Sequence, residues 1–238
     1  MRPEDSAYPP TQGGWGDDRS DHAIQEQIAY YRRRAGEYDE TSKPAGDPSA
    51  EGNALRAALR EFAPRGRVLE MACGTGLYTV DLIPFADEIT ALDASPEMLE
   101  QAHLRIADPK VRFVHADVFS WKPDRPYDVV FFSFWLSHVP LPLFERFWDL
   151  VAACLGPRGR VFFMDEGRHL HWREEFVDEA AGVVRRTLQD GSEHRAVKVL
   201  WNVGELEERL RGLGWDIRVT GTGAFYWGQG GRPNGGTP

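Results

Sequence analysis

Cysteine is scarce in this chain: Cys73 and Cys154 are the only two, both among apolar neighbours. Two such residues make neither a disulfide framework nor a thiolate metal cluster, so a reducing, cytoplasmic setting is expected. Long apolar runs are also missing. No stretch approaches the roughly 18 apolar residues of a membrane span, and acids and prolines fill MRPEDSAYPPTQGGWGDD where a secretory leader would need an apolar core. Positive charge is in deficit as well, with 28 Lys and Arg against 37 Asp and Glu and a formal net charge of -9. Such a surface repels nucleic-acid phosphates and anionic lipid, so neither is expected as a partner. The longest basic cluster, Arg32 to Arg34, is answered by Glu37, Asp39 and Glu40. His169 and His171 stand two apart without further ligands, which predicts no metal site.

What is present is enough for one core: 238 residues, 42% of them hydrophobic. Residues 1–20 and 229–238 are rich in Gly, Pro and polar residues and read as tails around a single domain, 21–228. Ile24, Ile28 and Tyr31 share a helical stripe, with Asp21 as its expected N-cap. From residue 53 helices and apolar strands alternate: helices over 53–62, 77–84, 96–106, 143–155 and 203–213, strands over 67–71, 88–93, 111–117, 128–133 and 160–166. Ser95 followed by Pro96 marks a helix start. Near-continuous apolar strands separated by helices predict an α/β, doubly wound, mostly parallel sheet, and WDIRVTGTG with AFYWGQ predicts a C-terminal antiparallel hairpin. Residues 167–202 form an insert, expected to be helical near 173–186, to turn at Asp190-Gly191 and to alternate in HRAVKVLW.

VLEMACGTGLYT, residues 68–79, reads as a strand, a sharp turn and a helix. Ligands of an open parallel sheet bind beyond the carboxyl ends of its strands, and this is the first such end. Gly74 and Gly76 permit a positive φ or close approach of a ligand to bare backbone. Asp93 ends the next strand, where a carboxylate can accept from both hydroxyls of a ribose. A dinucleotide site wants Gly or Ala at the position that Thr79 occupies, which counts against a nicotinamide oxidoreductase. Glu70, just before the turn, suits a ligand with a cationic amine instead.

Four segments in order, VLEMACGTG, ALDAS, HADVF and YDVVFFSFWLSHV, resemble the class I S-adenosylmethionine-dependent methyltransferases. The departure is Ala72, where that family usually has its first glycine. The resemblance implies a Rossmann-like fold with a seven-stranded sheet and S-adenosylmethionine as cofactor. It implies that Glu70, Ala72, Gly74 and Gly76 serve the methionine and ribose portions and that Asp93 takes the ribose hydroxyls. Ala94, Met98, Asp117 and Val118 would surround the adenine, and Ser133 and Phe134 would face the sulfonium. Residues 21–52 look like the family's N-terminal lid, with Tyr31 and Arg34 as contacts for the cofactor carboxylate.

The acceptor side is less determined. His138, after the fourth strand, is the candidate general base, with Glu166 as the next candidate. Trp135, Trp148, Trp172 and Trp201 suggest walls for an apolar or aromatic small molecule. The expected activity is methyl transfer to such an acceptor, with oxygen favoured. Transfer to carbon or nitrogen of a prenyl, quinone-like or amine acceptor stays open, as does cofactor binding without catalysis.

Overall fold

The computed structural model describes residues 17–42 and 50–233. Helices α1 (Asp17–Arg34) and α2 (Tyr38–Thr41) precede α3 (Ala50–Phe62), and an alternating core follows. Its elements are β1 (Gly66–Met71), α4 (Thr79–Leu82), β2 (Ala86–Asp93), α5 (Pro96–Arg105), β3 (Val111–His115), β4 (Tyr127–Ser133), α6 (Phe144–Cys154) and β5 (Leu155–Glu166). The insert holds β6 (Phe176–Asp178), β7 (Val183–Thr187) and β8 (Glu193–Val197), and α7 (Val203–Gly212), β9 (Asp216–Gly221) and β10 (Phe225–Gly231) complete the chain.

The main sheet has seven strands in the order β3-β2-β1-β4-β5-β10-β9. β1 lies parallel to both β2 and β4, while β10 runs antiparallel to β5 and β9. The strand order therefore reverses beside β1, which puts the ligand crevice at the carboxyl ends of β1, β2 and β4.

Alternation along the strands builds two cores. Leu69, Val130, Phe132 and Phe163 face one layer with Trp148, and Val68, Val129, Phe131 and Phe162 face the other with Leu55 and Leu59. Phe132 and Phe163 stack at 5.2 Å, and Trp148 meets both edge-on. Trp148 and Trp201 are each 1% exposed, so they are core residues and not pocket walls.

Several local expectations need correction. Helix α1 begins at Asp17, inside the expected tail, so Asp21 is interior to it and not its cap; residues 1–16 lie outside the described residues. At the other end β10 continues past residue 228, because Gln229, Gly230 and Gly231 pair with Phe162, Val161 and Arg160; residues 234–238 lie outside the described part. The lid segment likewise includes 43–49, outside it too. The helix expected over 77–84 is only α4, one turn. The insert is not helical at 173–186: a 3-10 turn, Arg168–Arg173, leads into the antiparallel sheet β6-β7-β8. Gly182 at φ +65 and the β-branched pair Val183-Val184 oppose a helix there, whereas strand pairing with Val197 and Ala196 uses them. The turn at Asp190-Gly191 closes the β7-β8 hairpin, with Gly191 at φ +81.

The Ser95 cap acts as the sequence suggests at α5, its hydroxyl accepting from Met98 N, and at α7 the structure adds a cap, Asn202 Oδ1 accepting from Gly204 N at 2.9 Å. Asn202→Ala should cost about 1 kcal/mol in urea unfolding while leaving ligand affinity unchanged, because the cap is exposed and belongs to neither cavity described below.

Candidate active site

Beyond the sheet edge two cavities meet under α1 and α2. The narrow one, about 80 Å³, is walled by Ile24, Ile28, Ala94, Met98 and Val118, with Asp93 and Asp117 as its acids. The wide one, about 400 Å³, is lined by the lid (Tyr30, Arg34, Glu37, Tyr38), by the β1 turn and by the insert (Arg173, Glu174, Arg186, Lys198). Tyr31, Ala72, Gly74, Ser133, Phe134 and His138 border both cavities and so mark their junction. The sequence-predicted residues are thus brought together, with Arg34 and Glu166 on the wide side only. Two stand apart: Glu70 and Gly76 line neither cavity.

The turn after β1 is made of left-handed residues. Ala72 has φ +54, Gly74 φ +56 and Gly76 φ +78. An alanine in that region carries roughly 1–2 kcal/mol of strain that glycine would not. A Cβ on Gly74 would meet nothing within 4 Å, so its backbone lies bare to the cavities. Gly76 is a correction: a Cβ there would come 2.9 Å from Ile106 Cδ1 and 3.4 Å from Ala102 Cβ, so its role is close packing against the end of α5.

Asp93 ties this turn to the next. One carboxylate oxygen accepts from Gly74 N at 2.9 Å and the other from Ser95 N at 2.8 Å. Burial pushes its pKa up, and those backbone N–H groups oppose the rise. Each oxygen keeps a lone pair for a further donor in the narrow cavity. Glu70, expected beside a ligand amine, lies beneath the turn and accepts from Thr79 Oγ1 at 2.6 Å. Its other oxygen is buried with no hydrogen-bond partner, and burial raises its pKa to about 8.

The acceptor-side candidates are both altered by their surroundings. His138 Nδ1 is 2.7 Å from the Val197 carbonyl, which can only accept, so the proton sits there. Nε2 then accepts from the Tyr31 hydroxyl at 2.9 Å. Burial, and next the Lys198 charge, hold the imidazole well below its usual pKa, so it stays neutral and is a poor base. Glu166 lies 2.5 Å from Lys198 Nζ. Burial pushes the Glu166 carboxyl up, but the ammonium outweighs it and leaves a weak base below the usual range. Lys198, 3% exposed, also donates to Ser137 Oγ at 3.1 Å, and Ser137 in turn donates twice to the buried Asp165. Burial alone would lower the Lys198 pKa, but Glu166 and Asp165 raise it above its usual value.

Sequence reasoning missed Gln27, Tyr38, Arg173, Arg186 and Lys198. A lone lysine inside the apolar run AVKVLW was a signal for the last; nothing local marked the others.

A methyltransferase domain model matches residues 68–159. Among curated relatives, the trans-aconitate 2-methyltransferase of Enterobacter sp. (strain 638) is 42% identical over 104 residues, 42% of this chain and 37% of that protein. The demethylmenaquinone methyltransferase of Clavibacter sepedonicus is 36% identical over 109 residues, 44% of each chain. This chain thus spans about two fifths of the length of those relatives. The solved DhpI–SAH complex covers far more: 42% identity over 90% of this chain and 99% of that one, with a TM-score of 0.79. This chain belongs to the class I S-adenosylmethionine-dependent methyltransferases.

For a methyltransferase of this class the cofactor is S-adenosylmethionine, and the narrow cavity suits it. Its apolar walls would suit an adenine, Asp93 keeps lone pairs that ribose hydroxyls could use, and bare Gly74 backbone leaves room at the junction. Among the described residues no cluster of three or more His, Cys, Asp or Glu could hold a metal, and no helix is long and apolar enough to cross a membrane.

The two glycines should therefore fail differently. Gly74→Val should stay folded, losing about 1–2 kcal/mol to the left-handed backbone, yet bind S-adenosylhomocysteine at least 100-fold more weakly by calorimetry. Gly76→Val should instead lose stability through its collision with α5. Equal binding defects with equal stability would contradict this division.

Glu70 gives a pH prediction. Its folded pKa of about 8 lies above the 4.5 of an unperturbed Glu, so between these values the folded state keeps a proton that the unfolded state releases. Its contribution to stability therefore falls as pH rises through that window. Glu70→Gln should stabilise the protein by about 1–3 kcal/mol at pH 8 and little at pH 4.5, read from urea midpoints; a gain independent of pH would exclude this cause.

Proposed function

We propose that this methyltransferase transfers a methyl group to an oxygen of a small acidic molecule held in the wide cavity. One observation carries this: of the four cations lining it, Lys198 and Arg186 are paired with Glu166 and Glu174, whereas Arg34 and Arg173 have no carboxylate partner among the described residues. Among the described residues Arg34 donates only to the hydroxyls of Thr41 and Ser42, at 3.1 and 3.2 Å, and it lies over the Tyr38 ring at 4.8 Å. Arg173 lies over the Trp172 ring at 5.1 Å. Two unpaired guanidiniums in a protein of net charge -9 favour an anion at this place.

S-adenosylmethionine supplies a methyl group on a sulfonium, activated for in-line displacement. What the protein adds is placement of the nucleophile. An ionised acid oxygen needs no proton removed, which agrees with a site whose His138 and Glu166 are both weak bases. Tyr30, Tyr31 and Tyr38 line the cavity and replace water around the anion. Arg34 can serve the cofactor carboxylate, as the resemblance implies, and Arg173, which the insert contributes, then remains for the acceptor.

The name of the trans-aconitate 2-methyltransferases supports an acid as acceptor. A quinone, as the demethylmenaquinone methyltransferase is named for, fits less well, since Trp148 and Trp201 are in the core. The purified protein, given S-adenosylmethionine and a panel of small mono-, di- and tricarboxylic acids, phosphorus acids and neutral phenols, should release S-adenosylhomocysteine with acids. Turnover confined to phenols or quinones would sink the proposal. With the best acid, Arg173→Ala should raise KM about tenfold or more while S-adenosylhomocysteine affinity stays within threefold. The pH profile of kcat/KM should be flat from pH 7 to 9, since His138 is neutral and Glu166 ionised throughout.

A further inference from the structure

The lid carries Tyr31, Arg34 and Tyr38, which line the wide cavity, but is fastened to the two cofactor turns through Asp39 and Arg32, which line neither cavity. Asp39, on α2, accepts from Thr75 Oγ1 at 2.6 Å, and Thr75 lies between Gly74 and Gly76 at 1% exposure. The second Asp39 oxygen pairs with Arg105 at the end of α5, and Arg105 also donates to the Thr75 carbonyl at 3.2 Å. One carboxylate thus joins the lid to the turn after β1 through both side chain and backbone of the same threonine. A second fastening runs in parallel: Arg32, on α1, donates to both oxygens of Glu97 at 2.7–3.0 Å, Ser95 Oγ donates to Glu97 at 3.1 Å, and Ser95 N donates to Asp93.

These fastenings differ in weight. Arg32 and Glu97 are 51% and 38% exposed, so water and salt screen them. The Asp39 side chain is itself 38% exposed, but its bond to Thr75 ends on a buried hydroxyl. Helix α2 has only four residues and none of them is buried, so packing does little to fix it. Its position over the wide cavity depends on polar contacts, of which Asp39 makes the one that reaches the cofactor turn.

We infer that Asp39 is a positioning residue: through Thr75 it couples the cofactor turn to the lid, so that filling the cofactor site fixes α2 and its Tyr38 over the wide cavity for the acceptor. The coupling rests on the wide cavity being the acceptor site, and it makes binding ordered, cofactor first. A ligand that holds the β1 turn still also holds Thr75, and a still Thr75 holds α2. Without that bond each end is fixed separately.

Hydrogen exchange with S-adenosylhomocysteine tests this without any acceptor. In the parent protein the ligand should slow exchange of the amides of residues 37–42 at least tenfold. In Asp39→Ala and in Thr75→Val the same saturating ligand should slow them less than twofold, although Asp39→Ala, at a residue that lines neither cavity, binds it within about threefold of the parent. Asp39→Asn, which can still accept from Thr75, should keep most of the protection. With an acid acceptor in hand, Asp39→Ala should raise its KM about tenfold with kcat less affected, and the double variant should do no worse than either single one. Equal protection of 37–42 in parent and Asp39→Ala overturns the inference. So does a parallel loss of S-adenosylhomocysteine affinity and acceptor KM, which would mark Asp39 as a plain support of the turn. A wrong acceptor class would show only in turnover, leaving the exchange result to stand.

Discussion

The hydrogen bond from Gly74 N to Asp93 holds two strand ends in one unit, and the site is built outward from it. It depends on a chain that turns through left-handed conformations at Ala72 and Gly74, which aims the Gly74 N–H across at the end of β2. The Cys73 N bond to the Leu92 carbonyl reinforces the same junction. Because β1 pairs with β4 on its other side, a turn fixed here also fixes the distance to Ser133 and Phe134. The sheet supplies rigidity, and the turn uses it to present bare backbone and a partly satisfied carboxylate.

Electrostatics divides the two cavities. In the narrow one the acids Asp93 and Asp117 offer acceptor atoms to neutral donors. In the wide one four cations and three carboxylates nearly balance, and pairing among the described residues leaves the guanidiniums of Arg34 and Arg173 unmatched. The buried group Lys198, Glu166, Ser137 and Asp165 is closed upon itself by hydrogen bonds, which is how so many charged atoms can be withdrawn from water. Burial, and next its ammonium, keep the neighbouring histidine neutral. The proposed transfer to an oxyanion would then need placement and charge but no proton acceptor.

The lid and the insert are separate in sequence but act as one wall. Gln27 on α1 accepts from Val197 N at 3.1 Å and donates to the His138 carbonyl at 3.2 Å, so a helix, a strand of the small sheet and the exit of β4 meet at one amide. Tyr30 packs with Val184, Leu188 and Ala196 of the insert. The cavity between them therefore has walls from three regions of the chain, each too small to be stable alone.

The sequence by itself determined whatever short-range chemistry decides: the alternation of apolar strands and helices, the Ser95 cap, the glycine turn after β1 and the acid at the end of β2. Each is written within a dozen residues, because periodicity, capping and positive φ are local properties. Only the tertiary structure decided the rest. Gly74 and Gly76 look alike in sequence, and what lies beyond each absent Cβ separates them: open cavity for one, Ile106 for the other. His138 reads as a base until the Val197 carbonyl, Tyr31 and Lys198, distant in sequence, bury it and fix its proton. Trp148 and Trp201 read as pocket walls until the packing of α6 and the insert encloses them. Burial and charge balance are sums over neighbours that the chain brings together only on folding, and a residue's chemistry in the site depends on those sums.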